Sequence, residues 1–155
     1  MPYDGRVMSF SSAAQMLQPS QVSLGINATD KNEAILEVAE IIRNHPDMLD
    51  FETFCQELLA RDEMRSTAAG YGVAFPHART DAVKEILIAA GRSKEGVLFG
   101  EEKVHFIFVI GTPREKVSDY LVAVGSLARL LRMEKNRTAL MEAATPEEFV
   151  GVLGR

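Results

Sequence analysis

The stretch Ser66-Thr67-Ala68-Ala69-Gly70-Tyr71-Gly72-Val73-Ala74-Phe75-Pro76-His77-Ala78-Arg79 lies near the middle of the chain, between a charged segment and an apolar one. Glycines lead into a short apolar run, and a proline and a histidine follow it at once. Proline locks its own φ and pushes the residue before it towards an extended conformation. The spacing therefore predicts a strand ending at Phe75, with His77 leaving it on a stiffened backbone. Imidazole is the side chain best suited to carry protons, metals or covalent intermediates near neutral pH.

Upstream, Asp30 and Glu33 have capping-box spacing, and Ala34, Ile35, Val38, Ala39, Ile41 and Ile42 form one apolar helical stripe. His45-Pro46 stops that helix; His45 reads as a dipole partner at its end or as a solvated side chain. A second helix is predicted from about Phe51 to Arg61, burying Phe54, Cys55 and Leu58. Before both, Val22 to Ile26 is a short strand candidate, Ser12 to Leu17 a possible helical turn, and residues 1–16 a loose N-terminal segment.

Downstream, Glu85 to Ala90 and Val104 to Ile110 read as strands, with turns expected at Gly91, Gly96 and Gly100. Apolar on both faces apart from His105, the later strand belongs inside a sheet. Ser118 is a candidate cap for a helix with Leu121, Val124, Leu127, Ala128 and Leu131 on its apolar side. A short helix is expected from Lys135 to Ala143. Thr145-Pro146-Glu147-Glu148 is a capping box with proline at the first helical position, opening a last helix. Strands interleaved with helices imply a layered α/β domain, and the connections after His77 are too short for helical crossovers, so part of the sheet is expected to be antiparallel. With 155 residues and no linker or repeat, 1–155 reads as a single domain.

A composition of 46% hydrophobic and 25% charged residues suits a packed core. Net charge −5 argues against nucleic acid or an anionic membrane as partner. Cys55, the only cysteine, excludes an internal disulfide and reads as core filler. Apolar runs such as Phe106 to Ile110 are far too short to cross a bilayer, and no basic-then-apolar leader opens the chain, so a cytoplasmic location is expected.

No His-x-x-x-His, Cys-x-x-Cys or Asp-rich loop occurs, which argues against a metal; no cofactor is expected. Neither a G-x-S-x-G elbow nor a Walker loop is present. Histidine as nucleophile or proton carrier remains. A phosphoryl group on His77 would need cationic and N–H donors around it. Arg61 and Arg79 bracket it in sequence and either serve that purpose or stand as solvated charges. Further donors could come from Ser66, Thr67 and the backbone around Gly70 to Gly72. His105 is either a core histidine or part of a pocket wall.

Arg61-Asp62-Glu63, Ser66-Thr67 and Gly72-Val73-Ala74-Phe75-Pro76-His77 together resemble the type 2 EIIA domain of the bacterial phosphoenolpyruvate-dependent sugar phosphotransferase system, in its fructose/mannitol and nitrogen-regulatory class. The resemblance extends from about Leu17 to Leu153. It implies a three-layer α/β/α sandwich with a small mixed sheet flanked by helices. It also implies a phosphocarrier that takes a phosphoryl group from phospho-HPr on His77 and hands it to an EIIB cysteine, or a regulatory module that contacts a target protein according to its phosphorylation. Arg61 stands at the family's spacing ahead of His77 and is expected to stabilise the group in transit. Where many members carry a second histidine, this chain has Tyr120.

Overall fold

The structure, a computed structural model, describes residues 16–154. All but Met16 of the segment expected to be loose lies outside these residues, as does most of the turn expected at Ser12 to Leu17.

Local chemistry opens three of the helices. Helix α1, Lys31–Glu40, begins where the Asp30 carboxylate accepts the Glu33 N–H at 3.1 Å. Its stripe of Ala34, Ile35, Val38 and Ala39 is fully buried. Helix α2, Phe51–Met64, is capped in the same way by Asp50 and runs beyond the expected stop at Arg61. Helix α5, Pro146–Leu153, is capped by Thr145, whose Oγ1 accepts from Glu148 N at 3.1 Å; the expected box is not closed on Thr145, since Glu148 Oε2 accepts instead from Ala144 N, one residue earlier, at 3.2 Å. Between α2 and α5 lie α3, Val117–Leu131, and α4, Glu134–Glu142. Ser118 does not cap α3. A turn at Arg114–Lys116 feeds that helix, and its cap residue, Lys116, has no side-chain acceptor. Leu121, expected on the buried face, is 60% exposed, while Ala123, Leu127 and Leu131 are buried.

Six strands form one mixed sheet: β1 Val22–Ser23, β2 Ala68–Gly70, β3 Val73–Ala74, β4 His77–Arg79, β5 Leu87–Phe99 and β6 Glu102–Thr112. The antiparallel pair β5/β6 is the expected tight connection, turning at Gly100, whose φ of 65° needs no side chain. Strands β3 and β4 both pair parallel with β6, in line with each other. Strand order therefore runs β1-β5-β6-β3-β2, with β4 also beside β6.

Gly91 is not a turn. It sits inside β5 opposite Ile107, and a Cβ there would come within 2.5 Å of Val38 and 2.7 Å of Ile26. Close approach of α1 to the sheet is what requires glycine at this position. Gly96, with φ 91°, serves a bulge between Arg92 and Val97.

Side chains of β6 alternate between two cores. Ile107 and Val109 join Ile35, Val38, Phe54 and Leu58 under α1 and α2. On the other face Phe106, Phe108 and Ile110 join Leu127, Leu140 and Phe149 under α3 to α5. Helices on both faces of a mixed sheet make the three-layer sandwich. Buried Arg92 ties the layers at one end: its guanidinium donates to the carbonyls of Leu24, Leu140, Met141 and Ala143. Cys55 is half-buried against the α1/α2 core, and burial pushes its thiol pKa up. His45 Nδ1 accepts the Asp47 N–H at 3.0 Å, closing the turn after α1.

Candidate functional site

Proline breaks the ladder and resumes it. Strand β3 stops at Ala74; the Phe75 N–H donates back to the Thr67 carbonyl at 3.0 Å, and the Pro76 carbonyl accepts from Ile110 N at 2.9 Å. His77 then opens β4, paired with Ile110. It therefore begins a second short strand on the same edge of β6 instead of leaving the end of a strand.

The His77 ring is half-buried, and its Nδ1 lies 2.8 Å from the Phe75 carbonyl oxygen. A carbonyl can only accept, so Nδ1 carries the proton and Nε2 keeps its lone pair. Burial lowers the imidazole pKa, the Phe75 carbonyl opposes it and the Arg61 charge adds to it; the net shift is downward. The ring is thus held neutral, in one tautomer, with Nε2 as the available nucleophile.

Two other elements converge on it. Tyr120, in the first turn of α3, places its ring 5.2 Å from the His77 ring, centroid to centroid. Burial raises its phenol pKa, and the Arg61 charge works against that. Arg61 is in the last turn of α2, where its Nη1 donates to the Arg65 carbonyl at 2.9 Å, and its charge is felt by both rings. Arg79 is exposed, two residues along β4 from His77, and so leaves the same face of the strand. An imidazole, a phenol and the Arg61 guanidinium thus meet where α2 ends, α3 begins and β4 starts, with Arg79 further along the same face of β4.

The remaining candidates lie elsewhere or are committed. Gly70, Tyr71 and Gly72 all have positive φ and close the β2/β3 turn. That turn is at the far end of the ladder, and the Gly72 carbonyl accepts from His105 and Phe106 N–H groups. From Gly72 to His77 the extended chain covers about 16 Å. His105 belongs to that distant end, its Nδ1 donating to the Ser93 carbonyl at 2.8 Å. Neither Gly72 nor His105 is brought to His77. Ser66 is exposed, and its Oγ accepts the Ala68 N–H. Thr67 is buried, and both its N–H and its hydroxyl donate to Asp62 Oδ1, at 3.0 and 2.7 Å. Its hydroxyl is therefore not free to hold a phosphoryl group.

Asp62 is the residue that sequence reasoning passed over. It is 2% exposed and its Oδ2 meets Lys31 Nζ at 2.7 Å. A signal was available: the buried positions Phe54 and Leu58 of α2 continue, one turn on, to position 62. A carboxylate on an apolar helical stripe announces a buried partner. Among the described residues no cluster of three or more His, Cys, Asp or Glu could hold a metal ion, and no helix is long and apolar enough to cross a membrane.

Comparison with known proteins adds the lineage. Residues 15–155 match the family model described as phosphoenolpyruvate-dependent sugar phosphotransferase system, EIIA 2. The fructose-specific EIIABC component of Bacillus subtilis is 28% identical over 144 residues; the match covers 91% of this chain but only 23% of that longer protein. The crystal structure of nitrogen regulatory protein IIA-Ntr from Neisseria meningitidis superposes with a TM-score of 0.82 at 27% identity, covering 90% of this chain and 97% of the other. The mannitol enzyme IIA of Escherichia coli, in its complex with phosphorylated enzyme IIB, superposes with a TM-score of 0.78 at 25% identity, covering 90% and 98%.

Proposed function

The chain belongs to the EIIA 2 family of the phosphoenolpyruvate-dependent sugar phosphotransferase system, and on that premise we propose that His77 is a transient phosphoryl carrier. It takes the group from an HPr-type phosphohistidine donor and passes it to an EIIB partner. The observation that carries this reading is the Nδ1–H bond to the Phe75 carbonyl, which leaves Nε2 unprotonated and presented. In the first step the N–P bond of the donor breaks as the bond from phosphorus to His77 Nε2 forms, and the donor imidazole leaves with the electron pair. In the second step that bond breaks in turn as a nucleophile of the EIIB partner, by family resemblance a cysteine thiolate, takes the group. Little covalent chemistry is asked of the protein; positioning and charge do most of the work. Arg61 offers a fixed, planar cation within electrostatic reach of the ring. Tyr120 offers a hydroxyl donor, and Arg79 a second, exposed cation.

A second reading, a regulatory module whose contacts depend on His77 phosphorylation, draws support from the near-complete overlap with the N. meningitidis nitrogen regulatory protein. Both readings use the same acceptor. Incubation with phosphoenolpyruvate, enzyme I and HPr should place an acid-labile phosphoryl group on wild type and none on His77→Ala. An unlabelled wild type would reject the carrier. Adding EIIB proteins then separates the readings, since label moves on from a carrier and stays on a regulatory module.

A further inference from the structure

We infer that Asp62 is a positioning residue for phosphoryl transfer at His77, holding both the acceptor that orients the ring and the helix end that carries Arg61. The inference rests on the carrier reading above. Asp62 Oδ1 takes the N–H and the hydroxyl of Thr67. The Thr67 carbonyl takes the Phe75 N–H at 3.0 Å, and the Phe75 carbonyl takes the His77 Nδ1–H at 2.8 Å. An unbroken line of bonds therefore runs from a buried carboxylate to the nitrogen that selects the tautomer. It crosses from the last turn of α2 to the break between β3 and β4, two segments that sequence alone leaves independent.

The other oxygen completes the clamp. Oδ2 meets Lys31, the first residue of α1, and this ammonium is its sole partner among the described residues. Lys31 keeps 30% of its side chain in solvent, so the pair draws on water on one side and is sealed on the other. Asp62 thereby pins the end of α2 to the start of α1 and to the strand below. Arg61, the neighbouring residue in that last turn, has its direction set by the pin. A buried charge held by two hydrogen bonds and one ion pair is costly to maintain unless geometry requires it. Here it constrains the nucleophile and the cation from one point, as supporting partners orient the groups that touch substrate in other sites.

The test uses Asp62→Asn, which keeps the shape and removes the charge, and Thr67→Val, which removes only the hydroxyl. Thr67→Ser keeps the hydroxyl and is the conservative control. Two-bond ¹H–¹⁵N correlation reads the His77 tautomer, and single-turnover labelling from phospho-HPr reads transfer. Wild type and Thr67→Ser are expected to show one Nδ1–H tautomer and similar rates. Asp62→Asn and Thr67→Val are expected to show mixed tautomers and a rate lower by about tenfold, the scale of a small misplacement of reacting groups. Melting curves establish that each variant is folded; if Asp62→Asn is not, Thr67→Val alone decides. Folded variants with an unchanged tautomer overturn the inference, as do changed tautomers with unchanged transfer. A wild type that takes no label sinks the carrier reading instead, and the tautomer spectra then decide the Asp62 link by themselves.

Discussion

Replacing Tyr120 by histidine restores an imidazole beside His77 and probes the charge balance of the site. The two rings lie 5.2 Å apart. Tyrosine can donate one hydrogen bond to a phosphoryl oxygen but stays neutral at pH 7, whereas an imidazole can add positive charge. Unit opposite charges about 5 Å apart attract by about 3 kcal/mol at an effective dielectric of about 20. That figure is a ceiling. Position 120 is only half-buried, water screens it, and a histidine of ordinary pKa is about one-quarter protonated at pH 7. Roughly 1 kcal/mol remains, or about fivefold in rate. Single-turnover transfer from phospho-HPr to Tyr120→His should therefore be about fivefold faster than to wild type at pH 7. The gain should vanish by pH 9, where the added imidazole is neutral. No gain at pH 7, or one of equal size at pH 9, refutes the electrostatic argument.

Acceptance of label by His77 should be flat above about pH 6.5 and decline only below it, since burial and Arg61 hold the folded pKa under the ordinary value. Through the same interval the unfolded chain binds more protons than the folded one, so stability should fall as pH drops through it; urea titrations at several pH values measure this. Gly91→Ala forces a methyl against Val38 and Ile26 and should cost about 1–3 kcal/mol, read as a lower urea midpoint with an unchanged slope. Arg92→Met strips donors from four carbonyls and should lower stability by about 3 kcal/mol in the same assay. Full stability there would mean that water replaces the guanidinium.

Much of the site is readable from local chemistry, and its gaps have a common cause. The proline before His77 and the apolar run before that proline mark a presented imidazole. Arg61 is marked, like Arg79, as an arginine bracketing His77 in sequence, and its place in a family pattern is what separates the two. Gly70 to Gly72 look like phosphate donors in sequence because glycine before a histidine suggests a loop around it. The ladder instead sends that turn to the opposite end of β6, with His105. Thr67 looks available because a hydroxyl is a donor anywhere; only the fold shows that Asp62 has taken it.

Short-range forces settle the features that neighbouring residues encode. Asp30 and Thr145 start their helices because a side-chain oxygen reaches an N–H three residues on. The brief connection after β5 permits nothing but an antiparallel return. Pro76 stiffens the backbone before His77 whatever surrounds it. Tertiary structure alone decided what depends on partners distant in the chain. Gly91 lies within a strand because it pairs with Ile107, and must be glycine because α1 presses on it; Leu121 is exposed because α3 turns Ala123 and Leu127 inward. Burial and the Arg61 charge, both supplied by packing, lower the His77 pKa against the pull of the Phe75 carbonyl, and the Tyr120 ring reaches His77 only through the placing of α3. No periodicity encodes those meetings, because they are settled by which faces of two helices and one sheet edge can pack together.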